Sequence, residues 1–239
     1  MLNLSVQEID IIATSVLQDF SVNDETSARA PVNINWLARS YLGLDVQYAK
    51  LSDDGETLGV TAYKNTILEL PLRDGNEEIC VPVDTILLDN SLKSPGNVHR
   101  LRFTLAHEAA HQILARIEER QAGYSFRRVF VPGKRYTCGE IKAAEYLWER
   151  QANTLGAALL MPKSMITPHT SIERRLFILT AFGVQFDTME YKSIKALANR
   201  FNVSLSAMRK RLHDLGFITY TPGAVNRHPL EVCVSNIIV

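Results

Sequence analysis

The sequence predicts an α+β fold from three observations: helical periodicity near the N-terminus, a block of short β-prone runs from Leu44 to Asn90, and helical periodicity again over most of the remaining chain. The β-prone block is expected to form a small, largely antiparallel sheet. The helical stretches after it are expected to supply one long helix carrying an H-E-x-x-H motif, a second facing helix, and a C-terminal helical segment. Domain limits are placed at 1–165 for the mixed region and 166–239 for the helical end.

In chain order, Ile9, Ile12, Ala13, Val16, Leu17 and Phe20 recur at helical spacing and predict an opening helix, followed by a polar loop. Pro31 is expected to start a second helix through Ile34, Trp36, Leu37 and Tyr41, ending near Gly43. The runs LDVQYAK, LGVTAY, TILEL, EEICVPV and TILLD, separated by DDG, KN and RDGN turn signals, read as strands. Leu101, Leu105, Ala109, Ile113 and Ile117 then form one helical stripe. A loop or hairpin with the basic pairs Arg127–Arg128 and Lys134–Arg135 leads to another helix, from about Glu140 to Leu159, which Pro162 ends.

The 239 residues are 46% hydrophobic, enough to bury one substantial core and a smaller lobe. Lysine plus arginine equals aspartate plus glutamate at 26 each, so overall charge offers no reason to expect nucleic acid or an anionic membrane as the main partner. The N-terminal stretch lacks a basic segment followed by an apolar run, so no secretory leader is expected, and no stretch reaches membrane-spanning length. Cys80, Cys138 and Cys233 are far apart and odd in number, against a disulfide framework or a thiolate cluster. A reducing cytoplasmic setting is the expectation.

His107 and His111 lie four apart in H-E-x-x-H, so one helix face can offer two imidazole nitrogens to a single ion. Glu108 then points to the side, placed to take a proton from a water molecule that the ion activates. The competing reading is a pair of solvent-facing histidines on an ordinary amphipathic helix. Ala106, Ala109 and Ala110 weigh against it, because they keep the helix slim where a second element must approach. Catalytic zinc normally takes three protein ligands, and the extended histidine pattern is closed here by Leu114 and Ile117. Glu149 is the best third candidate, from a helix with E-x-x-x-N spacing and an alanine-rich surface; Glu145 and Glu140 remain alternatives. Asn153, one turn past Glu149, could accept a hydrogen bond from a ligand histidine and fix its tautomer.

PVNINWLA, TILLD, RLRFTLAHEAAH, ERQANTLGAALLMP and IKALANRFNVSLSAMRKRLHDLGFI succeed one another between residues 31 and 218. In that order they resemble the ImmA/IrrE family of metallopeptidases, and FTLAHE combined with LLMP is far more specific than the bare motif. The resemblance implies a zincin-like core, Zn2+ held by His107, His111 and Glu149, and Glu108 as catalytic acid/base. It also implies a cytoplasmic enzyme that cleaves or inactivates a helix-turn-helix repressor, often encoded on a mobile element. The chain departs from the family pattern in having Gln151 where a second acid is common and Ala110 where glycine is common; neither change removes a ligand.

Residues 190–218 outline two helices joined by a tight turn, with Ser204 as N-cap. Lys192 to Arg211 holds basic residues and no acids, the local footprint of a phosphate-binding surface. DNA binding is one reading. The other, favoured by the resemblance, is that Leu197, Phe201, Val203, Met208 and Leu212 pack this pair on a core. Tyr136, His169 and Arg211 are candidates for oxyanion or substrate contacts. Cys138 could approach the metal, although a buried apolar role is the simpler expectation. The leading function is therefore proteolysis of a regulatory protein, and the alternative is a zinc-containing transcriptional regulator or repressor-binding module without proteolytic activity.

Overall fold

The computed structural model describes residues 3–23, 30–72, 75–122, 134–167, 177–180 and 189–221. The chain divides into two compact units, Met1–Leu160 and Met161–Val239.

In the first unit α1 spans Val6–Asn23. Ser5 and Glu8 start it with a capping box, in which the Ser5 N–H donates to the Glu8 carboxylate at 2.8 Å and the Glu8 N–H donates to Ser5 Oγ at 3.3 Å. The second helix departs from the expected run out of Pro31. A short α2, Ile34–Trp36, begins where the Asn33 side chain accepts the Trp36 N–H, and it continues as a π-helical turn over Leu37–Tyr41.

All five predicted strands form: β1 Asp45–Ala49, β2 Gly59–Ala62, β3 Thr66–Leu72, β4 Gly75–Val81 and β5 Thr85–Asp89. The expected single, largely antiparallel sheet is corrected, because two mixed sheets of three strands are present. In the first, of order β1-β5-β2, β5 runs parallel to β1 and antiparallel to β2. The chain between β1 and β5 is long enough for a parallel return, so β5 enters the middle, where all five of its residues are buried. The second sheet pairs β3 antiparallel with β4 and parallel with β6, Arg135–Thr137, which arrives only after the next helix.

Two 3-10 turns lead into α3, Val98–Ala122. Asp89 anchors this junction: its carboxylate accepts the Ser91 and Leu51 N–H groups, each at 2.8 Å. α4, Cys138–Leu160, opens with a second capping box between Thr137 and Glu140. α3 and α4 pack closely because Ala106, Ala109 and Ala110 are fully buried and Gly156 faces them; a Cβ there would lie 3.1 Å from the His107 backbone nitrogen.

The second unit contains α5 Lys163–Ile166, β7 Phe177–Thr180, α6 Met189–Phe201, α7 Leu205–Asp214 and β8 Ile218–Thr221, with β7 and β8 paired in parallel. α6 and α7 are joined through Asn202, which has a φ of 51°, and Ser204 caps α7 by accepting the Ala207 N–H. Leu197, Phe201, Val203, Met208 and Leu212 are buried, whereas Lys192, Lys195 and Lys210 are exposed.

Candidate metal centre

α3 is held in place on the side away from solvent. Gln112 is fully buried, and its amide donates to Thr61 Oγ1 at 2.7 Å and to the Ala62 carbonyl at 3.1 Å, fastening the helix to β2. Arg102 donates to the Val32 carbonyl at 3.0 Å and Arg116 to that of Leu42 at 2.9 Å. Burial lowers the Arg102 guanidinium below its ordinary value.

On this fixed helix His107 and His111 meet with their rings nearly perpendicular, at 85°, and with their Nε2 atoms 3.2 Å apart. Glu149 on α4 faces both, Oε2 lying 3.4 Å from His107 Nε2 and Oε1 lying 3.5 Å from His111 Nε2. The three side chains make a group able to hold a metal ion, with donor atoms all within 4.8 Å of one another. Zinc bonds of about 2.0–2.1 Å at tetrahedral angles put neighbouring donors roughly 3.3–3.4 Å apart. The observed separations bracket that figure, and two neutral imidazoles with one carboxylate are a catalytic-type donor set. The residues therefore fit zinc.

A cleft of about 540 Å³ opens beside this group, and Glu108, Phe103, Thr104, Tyr146 and Asn153 are among the residues that line it. Glu108 is almost wholly buried, but it reaches the cleft because β2 presents a glycine opposite: a Cβ on Gly59 would lie 2.6 Å from Glu108 Oε1. A carboxylate so placed is within reach of a water molecule or substrate entering between α3, α4 and β2.

The other predicted residues have different placements. Asn153 lines the cleft, but its amide donates to the Glu149 carbonyl at 2.8 Å, so this bond lies within its own helix and not on a histidine. It thus braces the Glu149 backbone. Tyr136 sits in the hydrophobic core with Leu51, Leu68 and Trp148, and not among the residues lining the cleft. Arg211 belongs to the second unit, where it is buried and its Nε donates to the Met161 carbonyl at 3.0 Å. His169 lies outside the described residues, as do Arg127, Arg128 and Cys233. Cys138 is buried in the same core as Tyr136, and Cys80 is exposed.

Of the alternative ligands, Glu140 is committed to capping α4, and the N–H of Thr137 holds its carboxyl below the usual range. The side chain of Glu145 is outside the described set. Gln151 is buried, accepts the Leu4 N–H at 3.1 Å, and shares a small cavity with the buried Glu118. An acid at that position would set two carboxylates side by side.

Gly59, Gln112, Gly156 and Tyr146 escaped sequence reasoning. Gly156 stands in the ligand segment as a small residue one helical face from Asn153, a signal that could have been read; the others carry none, because β2, α3 and α4 meet only in the folded chain.

A pair of helical histidines and a facing glutamate beside a buried carboxylate define a metal-dependent hydrolase type of centre. Residues 84–213 match the Peptidase_M78 family, described as the IrrE N-terminal-like domain, over more than half of the chain. The chain belongs to that family, a metallopeptidase family of the ImmA/IrrE type, as the sequence motifs implied. No curated protein matches the chain. Among the described residues no helix is long and apolar enough to cross a membrane.

Proposed function

We propose that this protein is a zinc-dependent endopeptidase that cuts a specific regulatory protein, with a helix-turn-helix repressor as the substrate class and the cytoplasm as its setting. The observation that carries the reading is the convergence of His107, His111 and Glu149 with Glu108 in one cleft. Zinc held there would acidify water and polarise a peptide carbonyl. Glu108 takes up the proton from the attacking water and delivers it to the leaving nitrogen. His107, His111 and Glu149 bind, and the bond between Asn153 and the Glu149 carbonyl keeps α4 regular at the ligand.

An extended polypeptide fits the surroundings. β2 ends its sheet among the described strands, and Leu58 and Gly59 line the cleft, so a substrate strand can pair beside the centre. The exposed lysines on α6 and α7 support a second reading, contact with nucleic acid, which retention of a DNA fragment in gel shifts at physiological salt would reveal.

The test compares wild type with Glu108→Gln, each co-expressed with a candidate helix-turn-helix repressor from the same genome. Loss of intact repressor with wild type and its persistence with Glu108→Gln is the expected result. Intact repressor with both proteins, while both relieve repression, would assign the chain to the non-proteolytic class of regulator.

A further inference from the structure

We propose that Tyr146 is a specificity-determining residue that receives an aromatic side chain of the polypeptide within one or two residues of the bond that is cut. The inference rests on the peptidase reading above and adds the kind of side chain the cleft takes.

α4 forms one wall of the cleft with Ala143, Tyr146, Glu149 and Asn153, which lie three or four apart and so share a helix face. On that face Tyr146 is 75% exposed. A ring left in water forgoes the burial that normally stabilises a tyrosine, so its position calls for a reason. The other exposed large hydrophobic residues among those described, Ile11, Val22, Trp36, Val83 and Val98, do not line the cleft. Tyr146 does, beside His107 and Glu149.

The facing walls match it. Phe103 on α3 and Leu58 just ahead of β2 line the same cleft, and both are half-buried, so each keeps part of its surface open. Three elements thus bring one large apolar side chain each to a single opening, and two of the three are aromatic. A ring entering there buries area against the walls and gains offset or edge contacts with rings, which an aliphatic side chain lacks. The helix also sets where along the substrate this happens. Tyr146 precedes Glu149 by three residues, about 4.5 Å along the axis, and an extended chain advances about 3.4 Å per residue. The side chain received therefore falls within one or two residues of the carbonyl presented to the His107, His111 and Glu149 group.

The experiment uses the full chain carrying Glu108→Gln and loaded with zinc, so that bound peptides survive. It is immobilised and offered a random mixture of octapeptides blocked at both ends, and the captured pool is sequenced. Phenylalanine, tyrosine and tryptophan are expected to be enriched about tenfold over the pool captured when Tyr146→Ala is added, the ratio that one aromatic contact with its buried area supports. Adding Tyr146→Phe instead should keep the enrichment, because the ring and not the hydroxyl makes the contact. Trp36→Ala, which removes an exposed ring away from the cleft, should also keep it. Equal aromatic content with Tyr146 and with Tyr146→Ala, loss of the enrichment with Tyr146→Phe or with Trp36→Ala, or no capture at all would overturn the proposal. The peptidase reading is judged separately: captured peptides that stay whole with the Glu108-bearing chain would sink hydrolysis, while a Tyr146-dependent aromatic preference would still stand.

Discussion

Replacing Gly59 with alanine tests how closely β2 and α3 are fitted around the Glu108 carboxylate. The added Cβ would stand 2.6 Å from Glu108 Oε1, 2.8 Å from Thr104 Cγ2 and 2.9 Å from Glu108 Cγ. Ordinary van der Waals contact begins near 3.4 Å, so the carboxylate oxygen must retreat by about 0.8 Å. It cannot swing away alone, because Cγ of the same side chain is also struck. α3 cannot retreat either, since Gln112 ties it to Thr61 and Ala62 of the same strand. His107, His111 and Glu149, which are grouped so that they could hold a metal ion, are not among the nearest atoms struck, so zinc content should stay at the wild-type level. Hydrolysis should fall about 100-fold, the usual consequence of displacing a catalytic group by an ångström, and overpacking should cost about 1–3 kcal/mol of stability. Repressor cleavage measured by gel densitometry, metal content by mass spectrometry and a thermal melt report the three quantities. Adding Thr104→Ser removes one clash and should recover part of the stability but little of the activity. Gly59→Ala cleaving at the wild-type rate would refute the close fit of β2 against Glu108.

Two further predictions concern the ligand and the fold. Glu149→Ala should leave two histidines and reduce zinc retained after dialysis at least tenfold; undiminished zinc would place the third ligand elsewhere. Burial pushes the Asp89 carboxyl up, but the Ser91 and Leu51 hydrogen bonds outweigh it and hold the group below its ordinary value. Its stabilisation is therefore complete above about pH 3.9, the unfolded value, and fades as pH falls through the lower folded one. Asp89→Asn should lower the melting temperature at neutral pH and flatten the acid limb, so parallel stability curves for the two proteins from pH 2 to 5 would disprove the role.

Much of the architecture could be read from local pattern. The strands at LDVQYAK, LGVTAY, TILEL, EEICVPV and TILLD and the long helices arise from alternation and helical periodicity, which are properties of neighbouring residues. Sheet order could not be read in the same way. β5 is drawn between β1 and β2, and β6 joins β3 from beyond α3, because burying TILLD and Tyr136 on both sides satisfies the core; such pairings depend on residues dozens apart. Tyr136 illustrates the limit: its phenol suggested a site role, yet its ring packs among core residues, while Tyr146 lines the cleft.

The sequence alone determined the helical pair His107 and His111, Glu108 beside them and the family to which the chain belongs, because spacing on one helix fixes which side chains share a face. Only the tertiary structure decided that Glu149 closes the donor triangle, that Asn153 turns to its own helix, and that Gly59 makes room for Glu108. Those facts depend on how near α4 and β2 come to α3. That distance is set by the close packing of Ala106, Ala109, Ala110 and Gly156 and by the grip of Gln112, and it exists only when the chain is folded.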